Sequence, residues 1–305
     1  MANLFRCMPS KKKGVFVFVG RHDGESYYSI DGKTWNVIDD LTSYDMKVVT
    51  YGNGKFITIS NSGYILQSLD GKNWMAFDSN IEYSSHDSMV YGNGVFVCVD
   101  NTSTIHYSSD GVNWNYVNMQ QYPYLRDITY GNGRFVCVGN GGKSYYSTDG
   151  ETWNAMSGLN SDSDYKSVTY GNGRFVCVGD NDSSAYSTDG LTWTLCSAKY
   201  PNYIMSYDGC HTSITYGNGM FLASGSYLYY SYDGNTWTRI SNNPVGNAHK
   251  IVYGDGTFVC VNSSGFYYST DGINWTAASE GPSTIVNNVQ NHDLCFSVDG
   301  GYGDL

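Results

Sequence analysis

Positively charged residues are scarce in this sequence. Only 15% of its 305 residues are charged, and 17 Lys and Arg are outnumbered by 28 Asp and Glu, which gives a formal net charge of −11. Nucleic-acid binding needs clustered Lys and Arg to meet the phosphates. The composition therefore argues against a nucleic-acid partner, and the one basic run, Lys11 to Lys13, is interpreted as a solvated turn.

Long hydrophobic runs and helical periodicity are also missing. No stretch is long enough to span a membrane, so we expect no membrane insertion. The first ten residues lack the charged start and apolar run of a secretory signal, so a product acting outside a cell is expected to reach it by another route. Apolar residues alternate two by two, which predicts an all-β protein.

Familiar catalytic and metal-binding motifs do not occur. There is no Gly-x-Ser-x-Gly, no His-Glu-x-x-His, no Cys-x-x-Cys and no Asp-x-Asp-x-Asp-Gly loop. Four of the eight cysteines (Cys98, Cys137, Cys177 and Cys260) occupy one strand position in different repeats, too far apart for a disulfide, and are interpreted as small core residues. We expect no metal and no cofactor.

What the sequence does contain is one phrase seven times, Ser-x-Asp-Gly-x-(Thr/Asn)-Trp. Its aspartates follow one another at steps of 39, 40, 39, 40, 44 and 38 residues, the period of a four-stranded propeller blade. The structural residues are Asp31, Asp70, Asp110, Asp149, Asp189, Asp233 and Asp271, with Trp35, Trp74, Trp114, Trp153, Trp193, Trp237 and Trp275. The sequence therefore predicts a seven-bladed β-propeller of four-stranded antiparallel blades.

A second phrase, Tyr-Gly-Asn-Gly, begins at Tyr51, Tyr91, Tyr130, Tyr170 and Tyr216, with Tyr-Gly-Asp-Gly at Tyr253. Asn-Gly between two β-branched runs is a strong hairpin signal, because both residues tolerate a positive φ. These turns are predicted to join the first and second strands of each blade. The Ser-x-Asp-Gly turns then join the third and fourth strands, and the inter-blade connections lie on the opposite face.

The propeller is predicted to occupy residues 1–279, with a tail at 280–305. Asn3 to Met8 is expected to form the first strand of blade one, followed by a degraded turn and a second strand from Val15 to Gly20. The tail holds two candidate strands, Thr284 to Val289 and Leu294 to Val298. We expect the tail to pair against blade one and help close the ring, the alternative being a free or partner-binding segment.

The aspartate phrase resembles the Asp-box of sialidase-type and related β-propellers, where it forms the turn between the third and fourth strands. In such a turn the aspartate accepts backbone N–H groups, and the tryptophan packs between blades. The combined repeat also resembles propeller proteins of bacteriophage virions and of some bacterial surface proteins. That resemblance implies a non-enzymatic binding or structural role in a virion, assembled in the bacterial cytoplasm, with a glycan, a host surface protein or other virion proteins as partner; a cytoplasmic protein is the alternative.

Two other functions remain open at this point: a glycoside hydrolase of sialidase-like fold, and an intracellular assembly scaffold like Asp-box assembly factors of photosynthetic membranes. A sialidase is expected to hold its substrate carboxylate with three arginines. The six arginines here leave only Arg6, Arg21 and Arg126 outside repeated turn positions, and only four glutamates occur. The sequence therefore predicts no sialidase activity, while an Asp or Glu pair that cleaves glycosides remains possible.

The inter-blade connections are rich in tyrosine, and the connection after Trp193 is six or seven residues longer than the others. Tyrosine offers a flat apolar ring and a hydroxyl, which suits both glycan and protein surfaces. We expect ligand binding on this face, at Tyr200, Tyr203, Tyr207, Tyr122, Tyr124, Tyr165, Tyr83 and Tyr44. The alternative is that these rings only cover the ends of the core.

Overall fold

A computed structural model describes residues 14–20, 26–79, 81, 86–102, 104–119, 123–180, 183–196, 213–241, 244–246, 248–279 and 293–296. They form seven four-stranded antiparallel sheets arranged as the blades of a propeller, which confirms the predicted fold. The only helices in these ranges are two single 3₁₀ turns, Asp39–Leu41 and Asn140–Gly142. No helix of the described part is long and apolar enough to cross a membrane.

The strands follow the repeat in chain order. Blade one contains β1 (Phe16–Val19), β2 (Tyr27–Ser29), β3 (Asn36–Val37) and, from the tail, β28 (Asp293–Phe296). Blades two and three contain β4 (Met46–Gly52), β5 (Lys55–Ser60), β6 (Ile65–Ser68), β7 (Met75–Phe77), β8 (His86–Gly92), β9 (Val95–Asp100), β10 (Thr104–Ser108) and β11 (Asn115–Asn118).

The remaining four blades continue the same order. Blades four and five contain β12 (Leu125–Gly131), β13 (Arg134–Gly139), β14 (Ser144–Ser147), β15 (Asn154–Ala155), β16 (Tyr165–Gly171), β17 (Arg174–Gly179), β18 (Ser184–Ser187) and β19 (Thr194–Leu195). Blades six and seven contain β20 (Ser213–Gly217), β21 (Met220–Ser224), β22 (Leu228–Ser231), β23 (Thr238–Arg239), β24 (Lys250–Gly254), β25 (Thr257–Asn262), β26 (Gly265–Ser269) and β27 (Thr276–Ala277).

The first strand of each blade lies innermost and contacts the first strands of both neighbouring blades. The sequence of these contacts is β4, β8, β12, β16, β20, β24, β28 and back to β4, so the ring is closed. In blade one the innermost place belongs to β28, which pairs antiparallel with β1, Phe16 opposite Phe296.

This pairing corrects one prediction about blade one. Asn3 to Met8, expected as its first strand, lies outside the described residues, and the place beside β1 where that strand would pair is already taken by β28. A strand has only two edges, and β1 uses the other edge for β2. Blade one is therefore built from both ends of the chain, and the candidate strand Thr284 to Val289 lies outside the described residues.

The hairpin turns adopt the predicted conformation. Asn53, Asn93, Asn132, Asn172, Asn218 and Asp255 all have φ between 47° and 50°. The glycine before each of these residues has a separate function: a Cβ at Gly52 would overlap the ring of Tyr91 in the next blade, and the same relation recurs at Gly92 and Tyr130. Each Tyr-Gly pair thus packs one blade against its neighbour.

Seven apolar clusters between adjacent blades form the core, and each contains a tryptophan or packs against one. Trp35 of blade one, for example, stacks on Phe266 of blade seven with ring centroids 4.0 Å apart. The predicted packing of the tryptophans between blades is confirmed. Trp153 is the one member that is only partly buried.

Candidate functional site

The two kinds of turn lie on one face of the ring, as predicted. Lys55, at the end of the hairpin turn in blade two, donates from Nζ to the carbonyl of Asp110 in blade three at 2.6 Å. Arg134 of blade four donates from Nη1 to the carbonyl of Asp189 in blade five at the same distance. We call this surface the turn face, and the opposite surface, which carries the inter-blade connections and the loops between second and third strands, the connection face.

On the turn face, the aspartate turns satisfy their own polar groups. In blade two, Asp70 Oδ1 accepts the backbone N–H groups of Lys72 and Asn73, each at 2.9 Å. The Ser68 hydroxyl donates to the same carboxylate at 3.0 Å and accepts the N–H of Gly71 at 2.8 Å. The serine and aspartate contacts recur in all seven turns.

The pKa of these aspartates is lowered by the same contacts. Partial burial raises the pKa of Asp70, but the hydrogen bonds from Asn73, Lys72 and Ser68 outweigh it and lower the pKa to about 2. In the other two turns with asparagine, at Asp110 and Asp271, hydrogen bonds likewise outweigh partial burial and hold the pKa well below its usual range. A carboxylate held ionised by its own turn is a structural group and a poor proton donor.

The predicted tyrosines of the connection face separate into three groups. Tyr124 is half exposed, with 50% of its surface accessible, and its φ of +43° is rare for a bulky residue. Tyr44 is partly buried and packs edge-on against Tyr64, with ring centroids 5.7 Å apart. Tyr83, Tyr122, Tyr200, Tyr203 and Tyr207 lie outside the described residues.

Tyr165 occupies a different environment from the one expected. It is fully buried in the cluster between blades four and five and cannot offer its ring to a surface ligand. Burial raises the pKa of its hydroxyl to about 12. The sequence held a signal for this, because the aligned positions in blades two and four carry the apolar residues Met46 and Leu125, which are also buried.

Tyr64 is an exposed ring that the sequence analysis did not select. It lies in the loop between β5 and β6, and 41% of its surface is accessible. Because the turns between first and second strands and between third and fourth strands share the turn face, a loop between second and third strands lies on the connection face, and Tyr64 could have been identified there. With Tyr44 it forms an aromatic pair on that face.

A row of charged residues lies where the innermost strands begin. In blades two to five the pairing of the first and second strands shifts by one residue, which marks a β-bulge. The residues that stand between the paired positions at these shifts are Lys47, Asp87, Arg126 and Lys166, which we call the bulge row. A bulge bends its strand and redirects a side chain, and bulges are frequent beside functional sites.

The bulge row is partly neutralised by ion pairs. Lys47 Nζ lies 2.9 Å from Asp87 Oδ1, and Arg126 Nη1 lies 3.5 Å from Asp87 Oδ2, so one carboxylate joins blades two, three and four. Lys166 Nζ lies 3.0 Å from Asp180 and 3.5 Å from Asp164. Lys47 is buried, whereas a third of the Arg126 side chain remains exposed.

Beneath the bulge row, Asp127 connects three blades from a buried position. Its carboxylate accepts the hydroxyls of Ser88 and Ser167, each at 2.6 Å, and the N–H groups of Val168 and Ile128 at 2.8 and 2.9 Å. Four donors satisfy a charge that burial would otherwise make costly. Asp127 thus fixes the strands from which Arg126 and Lys166 project.

Two of the described cysteines, Cys177 and Cys260, are fully buried. Burial raises the pKa of the Cys177 and Cys260 thiols well above the usual value, so they are poor nucleophiles. Within the described ranges, no three His, Cys, Asp or Glu residues lie close enough to hold a metal. Of the three arginines left for a sialidase site, Arg126 is described and belongs to the bulge row.

No protein-family model and no curated protein matches the sequence. Among solved structures, the chain is similar to virginiamycin B lyase from Staphylococcus aureus, with a TM-score of 0.65 and 13% identity over 76% of this chain and 83% of that one. It is also similar to YCF48 bound to D1 peptide (TM-score 0.59, 16% identity, 80% and 85% covered) and to the computationally designed Ika8 protein (TM-score 0.58, 10% identity, 90% of both). At these identities the likeness shows a shared β-propeller fold.

Proposed function

We propose that this protein is a non-enzymatic binding module that recognises a glycan or a host surface protein through its connection face. One observation carries the proposal: Tyr124 has a positive φ, is half exposed, and precedes the partly exposed Arg126 of the bulge row by two residues. Backbone strain at an exposed aromatic residue favours a functional role over a packing role. On the turn face, by contrast, the repeated serines and aspartates bond to one another within their own turns.

The aromatic and charged groups suit such ligands. The exposed rings of Tyr64 and Tyr124 can cover an apolar sugar face or anchor a protein side chain. Arg126 donates from Nε to Asn140 Oδ1 at 3.0 Å and contacts Asp87 through Nη1, which leaves further donors of its guanidinium for a ligand. The binding site we propose therefore combines aromatic surface with directed hydrogen bonds.

The proposed setting is a virion, and it rests on the resemblance of the repeat to Asp-box propellers of bacteriophage. Among the structural neighbours, one is a lyase and one was solved with a bound peptide. Because one fold supports many activities, these neighbours do not choose between binding and catalysis here. A glycoside hydrolase and a peptide-binding assembly scaffold are the rival functions.

A glycan array probed with the labelled protein tests the proposal, followed by affinity measurements on the best glycan. Tyr124→Ala should weaken binding about thirtyfold, the equivalent of losing an aromatic anchor worth about 2 kcal/mol. The matched control is Tyr232→Ala, because Tyr232 is similarly exposed but belongs to an aspartate turn on the turn face. The control should bind normally, and both variants should keep the parent melting temperature.

Two outcomes would contradict the proposal. If Tyr232→Ala loses affinity while Tyr124→Ala binds normally, the ligand binds the turn face and not the connection face. Steady turnover of a fluorogenic glycoside, abolished by a point substitution, would establish the hydrolase function instead.

A further inference from the structure

In blades two to six, the hairpin turns contact the next blade in two different ways, and the residue after the turn determines which is used. Where that residue is Lys55, Arg134 or Arg174, its cationic group donates to the backbone carbonyl of Asp110, Asp189 or Asp233 in the following blade. A long cation therefore holds the neighbouring aspartate turn in blades two, four and five.

In blades three and six, the residue at this position is apolar. Val95 and Met220 have no group to donate, and the asparagine of the turn makes the contact instead. Asn93 Nδ2 donates to the carbonyl of Thr148 at 3.1 Å, and Asn218 Nδ2 donates to the carbonyl of Thr270 at 3.5 Å. Each of these five turns therefore makes one kind of contact or the other.

As a consequence, three asparagine side chains are left without a hydrogen bond to any described residue: Asn53, Asn132 and Asn172. All three are exposed, have φ between 48° and 50°, and precede a glycine at φ between 72° and 76°. Nothing lies within 4 Å of the place where a Cβ would stand on Gly54, Gly133 or Gly173. The amide and the following peptide nitrogen are thus open to water.

We propose that Asn53, Asn132 and Asn172 are sites of spontaneous deamidation. The peptide nitrogen of the following glycine attacks Cγ of the asparagine, the Cγ–Nδ2 bond breaks, and ammonia leaves with the proton released from the glycine nitrogen. Water then opens the five-membered succinimide to aspartate or isoaspartate. The balance is one amide and one water giving one carboxylate and one ammonium ion, and no further reactant is needed.

Two features make these turns suitable for the reaction. Glycine has no Cβ to shield its nitrogen. The ladder pairs the residues on either side of the turn, for example Gly131 with Arg134, so the glycine N–H inside the turn is not a ladder donor. The hydrogen bonds of Asn93 and Asn218 hold the amide in place, which slows the rotation that brings Cγ to the nitrogen.

The aspartate product fits the same turn. In blade seven, Asp255 stands at the asparagine position with a φ of 48°, and its carboxylate accepts the N–H of Gly14 in blade one at 3.2 Å. Each event at Asn53, Asn132 or Asn172 therefore adds one negative charge to the turn face and leaves the hairpin intact. The isoaspartate product inserts an extra backbone carbon and would disturb the pairing of the hairpin.

The experiment follows the five asparagines in one folded sample. The protein is incubated in mildly alkaline buffer made with water that carries a heavy oxygen isotope. It is then digested, and mass spectrometry measures how much of that isotope each turn peptide has gained. Asn53, Asn132 and Asn172 should react about fivefold faster than Asn93 and Asn218, the kinetic equivalent of one hydrogen bond worth about 1 kcal/mol. Unfolded protein should show similar rates at all five sites, because all precede glycine.

Two exchange variants test the cause. Arg134→Val places after the turn of blade four the residue that blade three has there, and it should slow deamidation of Asn132 toward the rate of Asn93. Val95→Arg makes the reverse exchange and should accelerate deamidation of Asn93. Equal rates at the five turns of the folded wild-type protein would overturn the proposal. So would exchange variants that fold normally and leave both rates unchanged.

Discussion

Each tryptophan of the repeat fills the space between its own blade and the preceding one. Trp193 is 4% exposed and packs with Val136 and Val138 of blade four, whereas Trp153 is only partly buried. Trp193→Ala should lower the free energy of unfolding by about 3–5 kcal/mol because a large ring leaves a cavity. Trp153→Ala should cost clearly less. Equilibrium denaturation measures both, and equal losses would contradict this account of the packing.

The sequence predicts the positions of single residues where they recur in all seven repeats. The tryptophans and aspartates recur in one phrase, and local hydrogen bonds within that phrase determine their positions. Tyr124 lies in a connection that differs from blade to blade, so no repeat constrains it, whereas Tyr165 stands at a strand position that is apolar in blades two and four. One is exposed and the other buried because Tyr165 is the first residue of β16, whereas Tyr124 precedes β12.

Four innermost strands share a β-bulge, and Asp127 lies directly beside one of them. All the hydrogen-bond partners of its carboxylate are donors, and two of them are the Ser88 and Ser167 hydroxyls. Asp127→Asn should destabilise the protein by about 2–3 kcal/mol, because an amide directs its own N–H groups at these donors and leaves buried groups unsatisfied. Ser88→Ala, the matched control, removes one donor and should cost about 1 kcal/mol. Thermal and chemical denaturation compare the two variants. If Asp127→Asn is as stable as the parent protein, the carboxylate does not join the blades.

The strands and their order followed from periodicity and turn residues, but the bulges did not. A bulge adds one residue to a strand, and the alternation of apolar residues around it is too short to reveal the shift. The sequence places Lys47, Arg126 and Lys166 at one spacing, each before the tyrosine of its own hairpin turn. Their ion pairs through Asp87 and Asp180 depend on side chains from different blades or loops, which only the folded ring brings together.

On the scale of the whole molecule, the closed ring depends on one short strand from the chain's last segment. The sequence pattern predicted that the tail pairs with blade one, yet it also placed an N-terminal strand there. Local pattern cannot decide between two apolar segments that compete for one place. The pairing of β28 with β1 and its contacts with β4 and β24 decide it.

Removing residues 280–305 should therefore open the ring. Without β28, the backbone groups of β1 lose their partners at the centre of the molecule, and β4 and β24 lose the strand between them. We expect the shortened protein to unfold at a lower temperature and to self-associate, as measured by thermal denaturation and size-exclusion chromatography. The matched control deletes only residues 297–305, retains β28, and should behave like the full chain. If the protein ending at residue 279 keeps the association state and the melting temperature of the full chain, closure does not depend on β28 and the seven blades hold together through their remaining interfaces alone.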